Sequence, residues 1–187
     1  MSLLKKRGFA VAVCAVVIAG SVAFGSANSL QRAADDVERG FYEGVETGGY
    51  RHKSIASQLK SRLDSVNGIL ALAEDYAPEE AEVLRAHRAD MYSALEYGYS
   101  PSYLYTLNEE LTDYMGDLDK ALVRAEMPEE ERAAYDSYYG DFRAAMNVIA
   151  ESGYNESVRA FERDVLDHFP AEFIYFHSDV SSPGVFA

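Results

Sequence analysis

The four histidines, His52, His87, His168 and His177, are the residues of this chain best suited to acid–base or metal chemistry. A di-metal site in a helical bundle needs Glu-x-x-His pairs that project inward from two helices, and the chain contains no such pair. His52 and His87 fall on apolar stripes of predicted helices, where a hydrogen-bonded core histidine is commoner than a metal ligand. We therefore predict no metal site.

Other catalytic motifs are also missing from the sequence. Asp113, Asp117 and Asp119 cluster in one predicted helix but lack the glycine and the spacing of a calcium-binding loop. The chain has no Gly-x-Ser-x-Gly motif, no phosphate-binding glycine loop and no zinc-ligand spacing, and its single cysteine is Cys14. We interpret the aspartates as a solvated helix face and expect a non-catalytic protein without a cofactor.

Aromatic residues are concentrated in two regions that resemble contact surfaces. One surrounds a predicted helix–helix turn, and its members are Tyr97, Tyr99, Tyr103 and Tyr105, with Tyr92 nearby. The other is the tail, with Phe173, Phe176 and Phe186. Tyrosine is typical of interfaces, although rings that seal the end of a bundle give the same pattern. Since a free apolar tail would favour aggregation, residues 171–187 should pack on the bundle, on a partner or on the membrane.

The last third of the chain contains a characteristic series of residues. Tyr154-Asn155 lies in a helical stretch that ends at Phe169-Pro170 and is followed by the aromatic tail. This series resembles the C-terminal signature of the LemA family. The matching positions are Tyr154, Asn155, Val158, Phe161, Phe169, Pro170, Phe173, Ile174, Phe176, Pro183 and Phe186, whereas Glu162 replaces a second asparagine. The resemblance implies an N-terminal membrane segment, an all-helical bundle and no settled biochemical activity.

A second segment also resembles this family, at lower similarity. Arg62-x-Asp64 stands where relatives carry Arg-Arg-x-Asp-Leu-Ile-Pro-Asn-Leu-Val, but the first arginine and the proline are missing here. The chain is therefore similar to a divergent member. The resemblance implies structural roles for Arg62, Asp64 and the C-terminal motif residues. Asn155 is a poor interior helix residue, so we predict that it forms an interhelical hydrogen bond.

The N-terminus has the arrangement of a signal anchor. Lys5-Lys6-Arg7 precedes the uncharged residues 9–25, a run slightly shorter than the roughly 20 residues that span a bilayer. We predict that residues 1–27 are an uncleaved anchor. A cleaved signal peptide is the alternative, because small residues flank Phe24 and Ser26. The positive-inside rule then places the C-terminal domain outside the cytoplasm, on a single-pass inner-membrane protein.

Residues 28–187 are strongly acidic. The whole chain has a net charge of −14, with 17 Lys and Arg against 31 Asp and Glu. Three of the cations, Lys5, Lys6 and Arg7, lie in the predicted anchor, so 14 remain against 31 acids and the net charge of the rest is −17. Such a surface repels nucleic acid. It favours a basic partner, or it is simply a solvated face that keeps the domain soluble.

Apolar residues recur at steps of three and four from Val37 to Phe169, which predicts α-helices and essentially no sheet. The first stripe continues to Ala73 through Gly48-Gly49, so we expect one long helix with a soft spot there. Further helices should begin near Pro78, Pro101 and Pro128, and the last should contain Gly140 and Gly153 as distortions. The third has nearly coiled-coil spacing.

We therefore expect an all-α protein with a membrane-spanning N-terminal helix. Short connections predict an antiparallel up-down four-helix bundle over residues 28–170, with long first and last helices and an apolar tail over 171–187. Its expected function is that of a membrane-anchored scaffold, or of a binding partner of another cell-envelope protein. The alternative is a bundle that holds a small ligand or a metal near His52 and His87, as a sensor or carrier. The sequence assigns no oligomeric state.

Overall fold

The computed structural model describes residues 25–167, 170–177 and 180–187, and most of them are helical. Residues 9–24 of the predicted membrane segment lie outside the described residues, as do His168 and Phe169. Among the described residues, no helix combines the length and the hydrophobicity needed to cross a bilayer. The all-α class is confirmed.

Seven helices and one short hairpin make up the described chain. In order they are α1 (residues 25–43), β1 (Glu46–Thr47), β2 (Tyr50–Arg51), α2 (Ile55–Ala73), α3 (Pro78–Glu96), α4 (Pro101–Arg124), α5 (Glu129–Ala150), α6 (Tyr154–Phe161) and α7 (Ala171–His177). A π-helical turn, Glu162–Leu166, follows α6 directly. The predicted helix starts near Pro78, Pro101 and Pro128 are confirmed. Proline suits the start of a helix because the N–H groups of the first turn have no partner within the helix, and proline has no N–H.

The chain divides into two compact units. The large unit contains Glu38–Ser157 and Gly184–Ala187, and the small unit contains the described parts of Met1–Val37 and Val158–Pro183. Within the large unit, α2 lies against α3 and α5, and α3 lies against α4. Its core contains the predicted apolar stripes, and their fully buried members include Leu59, Leu63, Val66, Leu84, Met91, Leu104, Leu111, Leu118 and Leu122. Ile69, outside the predicted stripe, is also fully buried.

The small unit has its own core. The N-terminal part of α1 contributes Leu30 and Ala34, which pack with Phe161 and Leu166. Partly buried residues of α7, among them Ile174, complete the cluster. Burial of these side chains holds α7 against α1, because their apolar area is removed from water.

The prediction of one long first helix was wrong. α1 ends at residue 43, and the chain then forms the antiparallel hairpin of β1 and β2 before Ser54 caps α2. Gly48 and Gly49 have φ values of 61° and 79°, so both occupy the left-handed region that a tight hairpin turn requires. The expectation of essentially no sheet is wrong at this two-stranded hairpin, because the turn at Gly48 and Gly49 lets the flanking residues pair.

The prediction of one long last helix was also wrong. α5 ends at Ala150, and α6 begins at Tyr154 after a short turn. Gly153 has a φ of 72°, a conformation that cannot belong to a right-handed helix. Gly140, in contrast, lies inside α5 without breaking it. The turn at Gly153 places Tyr154 and Asn155 in the first turn of a new helix.

Candidate functional site

A cleft of about 450 Å³ lies between α3 and α4 in the large unit. We call it the aromatic cleft, and its lining residues are His87, Asp90, Ser93, Ala94, Tyr97, Tyr99, Tyr103, Leu107 and Glu110. The α3 members are spaced by three and four residues, which places them on one helix face. The cleft therefore joins three of the four predicted tyrosines to His87 and two carboxylates.

The tyrosines form the open side of the aromatic cleft. Tyr97 is 81% exposed, and Tyr99 and Tyr103 are about half exposed with ring centroids 5.2 Å apart. Tyr105 does not belong to this group, because its ring packs against Phe186 instead. Exposed rings of this kind offer apolar area and cation–π surfaces to a partner at a low cost in side-chain entropy.

His87 forms the buried wall of the aromatic cleft. Its Nε2 lies 2.7 Å from the carbonyl oxygen of Leu107. Because a carbonyl oxygen only accepts, Nε2 carries a hydrogen and donates this hydrogen bond. The other ring nitrogen, Nδ1, lies 3.6 Å from a carboxylate oxygen of Glu110. A cationic group bound in the cleft would meet Glu110 and Asp90, whereas the His87 ring is held in place by its backbone contact.

The predicted ligand site near His52 and His87 does not include both histidines, because His87 lines the cleft and His52 does not. His52 follows β2, where its N–H donates to the carbonyl of Val45 and its ring contacts that of Tyr50. It was expected on a helix stripe, but the hairpin replaces that part of the helix. Among the described residues, no group of three or more His, Cys, Asp or Glu side chains is placed to hold a metal ion.

Arg62 lies at the centre of a buried polar network in the large unit and is only 1% exposed. Its guanidinium donates to Asn108 Oδ1 and, at 2.9 Å, to Thr112 Oγ1. The ring of Phe142 lies 3.9 Å below its Cζ, and Met146 Sδ lies 3.0 Å from Nη1. Burial lowers the pKa of Arg62 to about 10, so the side chain stays charged at neutral pH. These contacts join α2 to α4 and α5 in the core of the large unit.

Asp64 is not part of this network. It is exposed on α2, two residues beyond Arg62, and side chains at that spacing point to different sides of a helix. Sequence reasoning missed Asn108, which is completely buried and supplies the guanidinium's acceptor. The available signal was a polar residue four positions after Leu104, on the apolar stripe of α4.

The C-terminal tail is bound along a second feature of the large unit, which we call the tail clamp. Phe186 donates its N–H to Asn155 Oδ1 at 2.8 Å and accepts from Asn155 Nδ2 at 2.9 Å. The Tyr154 hydroxyl donates to the carbonyl of Gly184 at 2.8 Å, and burial is the main reason that the pKa of Tyr154 is raised. Ser102 Oγ donates to the carbonyl of Val185 at 3.0 Å. Asn155 therefore binds the tail rather than another helix.

We predict that Asn155→Ala lowers the free energy of unfolding by about 1–3 kcal/mol, because two backbone groups of Phe186 lose their partner. Urea unfolding followed by circular dichroism measures this change. Asn67→Ala is the matched control, since Asn67 is exposed on α2 and alanine favours a helix. An Asn155→Ala protein as stable as the Asn67→Ala protein contradicts the role assigned to the clamp.

The other motif residues lie in the small unit. Val158 is fully buried and Phe161 is 5% exposed, whereas Pro170 is exposed. Phe173 and Phe176 of α7 are 57% and 72% exposed. Of the predicted tail contacts, only Phe186 is buried in the described chain, in the tail clamp.

No protein-family model matches this chain, and neither curated proteins nor solved structures show a significant similarity to it.

Proposed function

We propose that this protein is a membrane-anchored, extracytoplasmic helical bundle of the LemA type that binds another cell-envelope protein through the aromatic cleft and has no catalytic activity. The observation that carries the proposal is the cleft itself. It combines exposed tyrosine rings with two carboxylates on an acidic protein. Tyrosine-rich surfaces dominate protein–protein recognition, and the acids select for a basic segment of the partner.

The resemblance to LemA proteins supports the bundle and the anchor. The adjacent residues Tyr154 and Asn155 bond Gly184 and Phe186, about 30 positions further along the chain, in the tail clamp, so the two ends of the motif lie together. The anchor rests on Lys5-Lys6-Arg7 and the uncharged residues 9–25. In this proposal α2, α3, α4 and α5 form the antiparallel up-down bundle, since four-residue connections join each helix to the next.

We predict that a photo-crosslinking amino acid at Tyr97 captures a specific protein when membranes of the native host are illuminated. The same amino acid at Tyr50 is the control, because Tyr50 is 66% exposed but lies on the hairpin. The crosslink at position 97 should weaken several-fold in an Asp90→Asn/Glu110→Gln background, because the attraction for a basic segment is lost. Equal crosslinking from both positions, or none from position 97, contradicts the proposed use of the cleft.

The anchor is tested separately by the mass of the mature N-terminus on membrane-bound protein. An intact N-terminus with a domain open to protease from outside is the expected result. A mature N-terminus at Ser26 or Asn28 keeps the orientation and refutes the anchor. Protection from protease after removal of the outer layer refutes the orientation.

The size of the cleft favours a small ligand as the second candidate. Its volume of about 450 Å³ falls within the range of about 300–1,000 Å³ that is typical of small-molecule sites. Native mass spectrometry separates the two functions, because a retained small ligand adds far less mass to the purified protein than a retained protein partner does. The added mass should disappear in a Tyr97→Ala/Tyr103→Ala variant.

A further inference from the structure

The tail clamp holds a segment that is separate from its flanking sequence. Gly184–Ala187 is packed within the large unit, whereas Val158–Pro183, which precedes it, belongs to the small unit. The contacts that hold residues 184–187 therefore lie within the large unit. In this respect the tail resembles a peptide ligand more than an element of the bundle.

The clamp recognises the main chain of this segment. Ser102, Tyr154 and Asn155 together bond the carbonyl oxygens of three successive residues, Gly184, Val185 and Phe186, and Asn155 also accepts the Phe186 N–H. Main-chain hydrogen bonds of this kind supply affinity for extended peptides independently of their side chains. All three of these side chains belong to helices of the large unit, at the starts of α4 and α6.

Specificity comes from one ring pocket and one close approach. The Phe186 ring is 4% exposed, with centroid distances of 5.7 Å to Phe41 and 5.3 Å to Tyr105. A Cβ atom at Gly184 would lie 3.1 Å from Ser102 Oγ, a tight contact that requires this hydroxyl to shift, so the position two residues before the ring prefers a small residue. Val185 between them is only half-buried. The groove therefore fits a Gly-x-Phe segment best.

We propose that this groove is a peptide-binding site that is filled in cis by the protein's own residues 184–187, and that it binds in trans a Gly-x-Phe segment of another protein. Recognition uses the ligand's main chain and one aromatic ring, so nothing in it requires the ligand to belong to the same chain. Covalent attachment gives the tail a high effective concentration, and an intrinsically weak contact is then enough to keep the groove filled. The tail thus acts as a competitor of the partner. The proposal is independent of the aromatic cleft.

The test uses the full chain with Phe186→Ala, which empties the ring pocket, and a fluorescent peptide with the sequence of residues 181–187. Fluorescence anisotropy should show that this variant binds the peptide at least about tenfold more tightly than the unaltered chain does, because the competing tail is weakened. A peptide with alanine in place of its phenylalanine should not bind. If the Phe186→Ala protein is folded and does not bind the peptide, the proposal is overturned.

Two double variants built on Phe186→Ala test whether the peptide binds at the tail clamp. Asn155→Ala/Phe186→Ala should bind the peptide at least about tenfold more weakly than Phe186→Ala does. The loss corresponds to about 1.4 kcal/mol or more, from the neutral hydrogen bonds between Asn155 and the peptide main chain. Tyr97→Ala/Phe186→Ala should bind like Phe186→Ala, and equal losses in both variants overturn the assignment to the clamp. Exchange of tails between two copies would appear as a dimer of the unaltered chain that the peptide dissociates, which supports the site.

The test also holds if Phe186→Ala does not fold alone. The peptide is then present during refolding, and recovery of helical circular dichroism with the phenylalanine peptide, but not with the alanine peptide, supports the site. Failure of both peptides to restore the helical signal overturns it.

Discussion

Asn108→Leu is expected to lower the free energy of unfolding by about 3–5 kcal/mol, the cost of leaving a buried charge without its main partner. Asn108 supplies the amide oxygen that accepts from the Arg62 guanidinium, and both residues are at most 1% exposed. Thr112 and the face of Phe142 remain, but the amide oxygen that accepts from Nη1 is lost, and Arg62 Nε already lacks a hydrogen-bond partner in the described chain. Urea unfolding at neutral pH measures the loss.

The double variant Arg62→Met/Asn108→Leu should recover most of that stability and unfold within about 1 kcal/mol of the unaltered protein, because an apolar pair replaces the buried polar pair. Arg62→Met alone should cost about 1–3 kcal/mol, since the Asn108 amide is then buried without its donor. Arg85→Met is the control, because Arg85 pairs with Glu74 and Glu82 at the surface and such pairs contribute about 1 kcal/mol or less. Additive effects of the two core changes would contradict a coupled network.

Gly44→Ala is expected to destabilise the protein by more than about 3 kcal/mol, through backbone strain together with overpacking. Gly44 follows α1 with a φ of 87°, and a Cβ atom there would lie only 2.1 Å from the carbonyl oxygen of His52. That oxygen belongs to the backbone that leads into the Ser54 cap of α2, so the clash cannot be relieved by rotation of a side chain.

Gly49→Ala is the matched control for Gly44→Ala. Gly49 also has a positive φ, 79°, but a Cβ atom there meets nothing within 4 Å. Its cost is therefore the conformational strain alone, about 1–2 kcal/mol. Thermal unfolding of both variants separates the two contributions. If Gly44→Ala is no more damaging than Gly49→Ala, the close approach of the two backbone segments is not what positions α2.

The helices in the middle of the chain were predictable because their signals are local. Three-and-four spacing, together with proline followed by acids, indicates where α3, α4 and α5 begin and which faces they bury. The same spacing wrongly predicted a continuous helix through Gly48-Gly49. The apolar residues keep their helical register across this pair of glycines, but a Gly-Gly pair is also a signal for a hairpin turn. The chain forms the hairpin because both glycines adopt a positive φ. Glycine adopts this conformation at little cost, whereas a right-handed helix does not contain it.

The sequence by itself determined the all-α class, the acidic surface, the apolar stripes and the concentration of tyrosines around the turn between α3 and α4. Those properties depend on residue type and spacing along one element, so no distant contact is needed to read them. Only the tertiary structure decided which tyrosines share the aromatic cleft with His87, that the buried Arg62 guanidinium donates to Asn108, and that Asn155 binds Phe186. The hydrogen bonds of Arg62, His87 and Asn155 join residues 20 or more positions apart, and the partner of a buried polar group depends on the packing of several helices at once.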